Sequence, residues 1–400
     1  CNMKYTKLNL DKYKGYSKTK HKSSFFILLM LSCLAINSCH NNNSIPHSIL
    51  PSQNEFQNSF IRIEQLQQTD IPLDASIFSV QENYLLYIRH RESISSESDN
   101  ISLYYYQYDT KENRYLGKIS LPSMYAEPAV QIEDSLYFLG GLNGQENGIC
   151  KVNLETYELE QIYETDASAF FPRLNKYGNQ LLLLNITSDQ NECNTYHLEL
   201  LNPNGTDRSI IAERNASSEA GSYISCIDTD EKYIYAFEEC IHMSKRTYQI
   251  LRFEPNGEAD SFQVDLSELI EVDTNGLSND VIMYMEKIGD YFVLQTLNGR
   301  LYLLMMTDDS IQTTEIDSQF YRSVPGGYSF LTDINPNTNN LYILSQNTDT
   351  KIYLFNPRMA NFREINLPEN EKLYFCSGYG SKVLVQKQYD SPFYLLSLPS

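Results

Sequence analysis

Short, almost wholly apolar runs recur along this chain, each introduced by a turn. They read Tyr84-Leu85-Leu86-Tyr87-Ile88, Leu136-Tyr137-Phe138-Leu139, Gln180-Leu181-Leu182-Leu183-Leu184 and Tyr233-Ile234-Tyr235-Ala236-Phe237. The series continues with Tyr291-Phe292-Val293-Leu294, Leu341-Tyr342-Ile343-Leu344 and Val383-Leu384-Val385. With Leu85, Leu136, Leu181, Ile234, Phe292, Leu341 and Val383 as markers, the steps are 51, 45, 53, 58, 49 and 42 residues. An apolar run of this length between turn signals reads as a strand covered on both faces.

Each run leads through a polar loop to a second strand that ends in a turn, as at residues 102–110, 149–156, 196–205, 248–257, 300–309, 351–359 and 393–399. Asn204-Gly205 and Asn256-Gly257 supply the positive φ that tight hairpins need. A third, alternating strand closes most modules, for example residues 114–121, 157–164 and 261–266. Alternation is the mark of an outer strand with one wetted face. With the less regular strand before each marker (129–132, 222–228, 328–333), every module holds four antiparallel strands.

Four-stranded units at a period near 50 predict an all-β fold, a single closed β-propeller of seven blades. Six or eight blades are the alternatives this spacing leaves. The last module stops after its third strand, and an orphan strand at residues 60–66 precedes the first. Pairing that N-terminal strand with residues 393–398 is expected to complete the last blade and remove the exposed edge.

Ahead of the repeat, residues 3–24 are rich in Lys and residues 25–36 form an apolar run of twelve, short for a membrane span and proportioned like a signal-peptide core. It ends in Ile36-Asn37-Ser38-Cys39, which resembles the lipobox of bacterial lipoproteins. That resemblance implies a diacylglycerol on Cys39 and cleavage before it. The expected organisation is a signal peptide over 1–38, a lipidated Cys39 and flexible tether over 39–57, and the propeller over 58–400. Lipobox and repeat together resemble the uncharacterised β-propeller lipoproteins of Gram-negative cell envelopes. The resemblance implies a membrane-anchored protein of the envelope, on the periplasmic side or the cell surface. No blade signature built on Trp applies, because the chain has no Trp.

Charge narrows the partners. From Cys39 onward 24 basic residues face 50 acidic ones, which disfavours nucleic acid. The five cysteines of the repeat (150, 193, 226, 240, 376) are an odd set without a CxxC, which fits buried small hydrophobes better than disulfides or zinc. A hairpin turn centred on residues 229–232 places Cys226 opposite about Tyr235 rather than Cys240. His197, in an apolar strand, reads as a satisfied structural histidine. Asp228-Thr229-Asp230-Glu231 and Asp308-Asp309 have Ca²⁺-ligand chemistry but sit where hairpin turns are expected, so no metal or other cofactor is called for.

The chain contains no nucleophile elbow, zincin or phosphate-loop motif. Recognition chemistry is expected instead in the loops that lead into each innermost strand, which gather at one mouth of a propeller channel. Those loops carry Tyr125, Glu127, Arg173, Tyr223, Arg322 and Tyr328, and Tyr and Arg are favoured anchors at recognition surfaces. The expected function is a non-enzymatic binding or scaffold module for a protein, peptide or glycan. The alternative is a propeller enzyme of the lyase, lactonase or glycosidase kind using Glu127, Asp280 or similar acids at the channel mouth with a metal.

Overall fold

The computed structural model describes residues 59–62, 67–90, 101–121, 129–142, 148–164, 173–188, 193–216, 220–242, 245–254, 259–266, 282–296, 300–307, 310–316, 330–335, 340–345, 351–357, 361–366, 375–379, 381–388 and 390–397. Every regular element among them is a β-strand. Two short strands come first, β1 (Ser59–Arg62) and β2 (Gln67–Gln68). The first module is β3 (Ser76–Val80), β4 (Tyr84–His90), β5 (Ile101–Gln107) and β6 (Asn113–Ile119); the second is β7 (Val130–Ile132), β8 (Ser135–Leu139), β9 (Gly148–Asn153) and β10 (Leu159–Glu164). The third is β11 (Arg173–Tyr177), β12 (Gln180–Ser188), β13 (Asn194–Leu201) and β14 (Ser209–Ala216); the fourth is β15 (Ala220–Thr229), β16 (Ile234–His242), β17 (Lys245–Phe253) and β18 (Ala259–Val264). Then follow β19 (Ile282–Ile288), β20 (Tyr291–Thr296), β21 (Leu301–Met306) and β22 (Ile311–Glu315), and β23 (Phe330–Asn335), β24 (Asn340–Ser345), β25 (Lys351–Asn356) and β26 (Asn361–Asn366). The last module has β27 (Phe375–Tyr379), β28 (Lys382–Gln386) and β29 (Phe393–Ser397).

Within each module the strands pair antiparallel in chain order, and the sheets are arranged as a β-propeller. The four leucines of β12 show why the sequence demands this. Leu181 and Leu183 pack on Tyr137, Leu139 and Ile149 of the second module. Leu182 and Leu184 point the other way, onto Ile227, Ile234 and Ala236 of the fourth. A strand apolar on both faces is stable only between two neighbours, each fully buried leucine contributing roughly 2 kcal/mol.

Where Trp is absent, tyrosine fills the space between sheets. Tyr84 stacks on Tyr105 with ring centroids 5.1 Å apart, and Tyr87 on Tyr104 at 5.0 Å. Modules three and four differ from the rest because they merge into one eight-stranded sheet through the pair Ala216 and Gly221. Gly221 has φ +125°, and a Cβ there would lie 2.4 Å from the Asn215 carbonyl oxygen, so only glycine permits this join.

The N-terminal strand departs from expectation. The last module is completed by β2, with Gln67 opposite Leu395 and Gln68 opposite Tyr394. β1 instead lies parallel to β26 of the preceding module, Ser59 opposite Arg363 and Arg62 opposite Asn366, while residues 63–66 lie outside the described residues. The N-terminal segment thus joins two sheets, Ser59–Arg62 pairing in one and the polar pair Gln67-Gln68 supplying the outer strand of the other. Beyond β2, the Thr69 amide donates to the Phe393 carbonyl at 2.9 Å. Leu384, Phe393 and Leu395 of the last module pack on Val80, Leu85, Tyr87 and Tyr106 of the first. The Ser381 amide donates to Glu82 at 2.9 Å across the same joint.

Two N-terminal truncations separate the roles of these segments. Removing residues through 58 should leave the melting temperature unchanged. Removing them through 68 should lower it by about 5 °C or more, as read by circular dichroism, because β29 loses its partner. Equal melting temperatures would show that the strap does not hold the last module.

Candidate functional site

The first strands of successive modules touch one another and line the middle of the fold. Outward from them, the second and third strands differ in length. β12, β16 and β17 have nine residues and β13 has eight. Elsewhere these strands have five to seven. All second strands start level with their markers, so the extra residues lie at the hairpin between second and third strands. At that end the second strands of modules three and four therefore run three or four residues further than those of modules two and five, a raised ladder.

The raised end is held by buried charge. On β16 the apolar run gives way to Glu238 and Glu239, 2% and 1% exposed. Arg214 of β14 donates to Glu238 at 2.6 Å from the third module, and Gln249 of β17 donates to the other Glu238 oxygen. On the adjacent residue, the Tyr223 hydroxyl of β15 donates to Glu239, with Arg246 at 3.4 Å. Burial pushes the Glu239 carboxyl up, opposed by the Tyr223 hydrogen bond and the Arg246 charge. Burial, and then the Glu239 charge, push the Tyr223 phenol well above its ordinary value. Removing one partner of such a buried pair costs about 3–5 kcal/mol, so this end is stiff.

Nearer the middle, a second set ties three first strands together. Arg173 opens β11, and its guanidinium donates to the Met283 carbonyl of β19 at 3.0 Å and lies 5.6 Å from the Tyr284 ring centroid. The β19 ladder shifts register between Ile282 and Tyr284, and this bulge at Met283 is where the carbonyl accepts Arg173. Lower down, Asp228 of β15 accepts from the Asn175 amide of β11 at 3.1 Å and from the backbone amides of Thr229 and Lys287. Burial pushes the Asp228 carboxyl up to about 6 against those hydrogen bonds. Burial also lowers the Lys287 ammonium, opposed by the charges of Asp230, Asp290 and Asp228.

Of the residues expected at the channel mouth, Arg173 and Tyr223 are described, while Tyr125, Glu127, Arg322, Tyr328 and Asp280 lie outside the described residues, as does Cys39, the expected lipidation residue. Neither Arg173 nor Tyr223 is in a loop. Arg173 is the first residue of β11, and Tyr223 lies inside β15, its ring 6.0 Å from Tyr196. Tyr223 lies in a strand because β15 extends over ten residues, whereas Arg173 simply begins β11, a strand of five.

Two further expectations change. The hairpin turn runs through residues 230–233, not 229–232, which places Cys226 opposite Phe237, and a bulge between Ile224 and Cys226 shifts the register of the residues before it. Neither Cys226 nor Cys240 forms a disulfide. Asp228 belongs to the strand, whereas Asp230 makes the turn by accepting from the Lys232 and Tyr233 amides, each at 2.8 Å. Arg214, Glu238 and Glu239 were missed. Their signal is the break of an apolar strand into consecutive acids without a turn residue.

These features define the class, a β-propeller. No family model and no curated protein matches the chain. Among solved structures it is similar to a puromycin-hydrolyzing peptidase of Mycobacterium tuberculosis, at 8% identity and TM-score 0.50 over 82% of this chain and 52% of that one. It is also similar to the Cps50 (Swd1) β-propeller domain of Myceliophteria thermophila, at 9% identity and TM-score 0.49 over 84% of this chain and 99% of that one. A virginiamycin B lyase from Staphylococcus aureus, solved with quinupristin, is 14% identical at TM-score 0.43 over 84% and 99%. At such identities the likeness concerns fold alone.

Asp228 makes the inner girdle pH-dependent. Its carboxyl titrates higher in the folded than in the unfolded chain, so the folded state holds the extra proton. Its contribution to stability therefore falls as pH rises from about 4 to about 6 and is level above. Asp228→Asn keeps an acceptor for the two amides and removes that slope. Urea unfolding at pH 4, 5, 6 and 7 should show a flatter profile for the variant; identical profiles would mean Asp228 does not bury a charge.

Proposed function

We propose that this chain is a lipid-anchored protein of the bacterial cell envelope, tethered through Cys39, whose seven blades close into a ring and serve as a recognition or scaffold module. The period of the markers and the four-strand modules support seven blades. The pairing of β2 with β29 and the shared core of first and last modules support closure. The lipobox-like Ile36-Asn37-Ser38-Cys39 supports the anchor.

The raised end of modules three and four carries the functional reading. Building it requires four extended strands and two buried carboxylates with their arginines, a costly arrangement. What it provides is a rigid projecting edge, set before any partner arrives, and preorganisation of this kind favours binding. Its ligand is a protein, peptide or glycan of the envelope. Arg173 and Tyr223 serve it as props behind the surface rather than as contacts.

The test is site-specific photo-crosslinking in cells. A photoreactive residue replacing Thr247 or Asn215, both exposed at the raised end, should give adducts that are absent when it replaces Glu155 in the turn at the opposite end. Adducts from Glu155 alone, or equally from both ends, would reject the raised end as the recognition face. Anchoring is read separately. Cys39→Ala should accumulate as uncleaved precursor without fatty-acid label, and label persisting in that variant would reject the anchor.

A further inference from the structure

At the end away from the raised edge, a cavity of about 250 Å³ lies between modules two and three. Small-molecule sites usually measure about 300–1,000 Å³, so this one suits a small guest. Its floor is the face of β8 and β9, where Ser135 and Tyr137 are buried and Lys151 lies directly opposite Tyr137. In sheet order β7 and β9 flank β8, so Glu133, in the turn that leaves β7, lies on the other side of that floor from Lys151. Both charges reach the Tyr137 hydroxyl. Burial pushes its phenol up, opposed by the Ser135 hydrogen bond and the Lys151 charge and aided by the Glu133 charge.

Module three supplies the opposite wall through the turns that carry Asn179 and Asn204. The second of these turns is pressed onto module two. Gly205 has φ +79°, and a Cβ there would lie 2.0 Å from the Ile162 carbonyl oxygen, so the wall is fixed by backbone contact. The polar groups around the cavity have hydrogen-bonding capacity to spare. The Glu133 carboxylate pairs with no cation among the described residues and is approached only by the Asn179 amide, at a long 3.5 Å. Lys151 donates to Glu160 at 3.0 Å, but Glu160 is 58% exposed and takes one of three ammonium donors. Asn204 spends its carbonyl oxygen on the Thr206 amide and hydroxyl, at 3.0 and 2.7 Å, and keeps its amide donors.

We propose that this cavity binds a small zwitterion, an α-amino acid, with its ammonium on Glu133 and Asn179 and its carboxylate on Lys151 and Asn204. Acceptors stand on one side and donors on the other, and a guest with one charge only would leave the opposite charge of the cavity unanswered. Two strand spacings, about 10 Å, separate β7 from β9. An amino acid with a hydrogen bond at each end spans such a gap, and both bonds are of the strong, charge-assisted kind. Ile132 and Pro203 give the cavity its apolar wall, which suits a short aliphatic side chain. The site shares no residue with the raised end and stands independently of it.

Isothermal titration of the whole protein in detergent with glycine, alanine, serine, valine and leucine at millimolar concentration tests it. At least one should bind. Its methyl ester, which loses the carboxylate, and its N-acetyl form, which loses the ammonium, should each bind about tenfold more weakly. Glu133→Gln should weaken the amino acid about tenfold and leave the N-acetyl form unchanged. Lys151→Met should weaken the amino acid to the same degree and leave the ester unchanged. Melting curves establish that both variants fold, and the comparison of ester and N-acetyl form decides the matter on the unaltered protein in either case. No binding by any of the five, an ester or N-acetyl form that binds as tightly as the free amino acid, or unchanged binding in both variants would each overturn the proposal. Failure here with raised-end crosslinks intact would leave the recognition reading standing.

Discussion

Each second strand in this chain is apolar on both faces, and that single constraint organises the rest. A sheet with two dry faces needs a neighbour on each side. A linear stack would leave two such faces in water, those of the first and last modules. Leu384, Phe393 and Leu395 of the last module share one core cluster with Val80, Leu85 and Tyr87 of the first. The N-terminal strap follows from the same need, because without β2 the third strand of the last module ends as a bare edge.

Against that uniform background the polar residues mark where the chain departs from its repeat. Asp228 holds three first strands in register by accepting from Asn175 and from the Lys287 amide. Glu238 and Glu239 secure the projecting ends of β16, each with an arginine beside it. Both sets read as construction.

Much of the fold is legible in the sequence because apolar runs, turn residues and alternation are local signals. The seven markers each fall in a second strand, and the polar closing segments become outer strands. Long-range register is not local, and there the reading slips. Residues 60–66 look like a strand, yet nothing in them distinguishes β26 from β29 as partner, and the polar pair Gln67-Gln68 carries no strand signal. Bulges have the same effect over a shorter range. The extra residue at Ser225 moves Ile224 opposite Glu238, and the extension of β15 carries Tyr223 out of its expected loop. The candidate site was less legible than the fold, since Glu238 and Glu239 sit in a strand where charge ordinarily argues against burial.

Native-state hydrogen exchange tests the central claim, that the sheets form one closed, mutually covered set. Amides of β28 and β29 should exchange only through global unfolding, with the same opening free energy as those of β12 and β16. A lower opening free energy for β27, β28 and β29, as a unit that opens by itself, would contradict closure and leave the last module an attached flap.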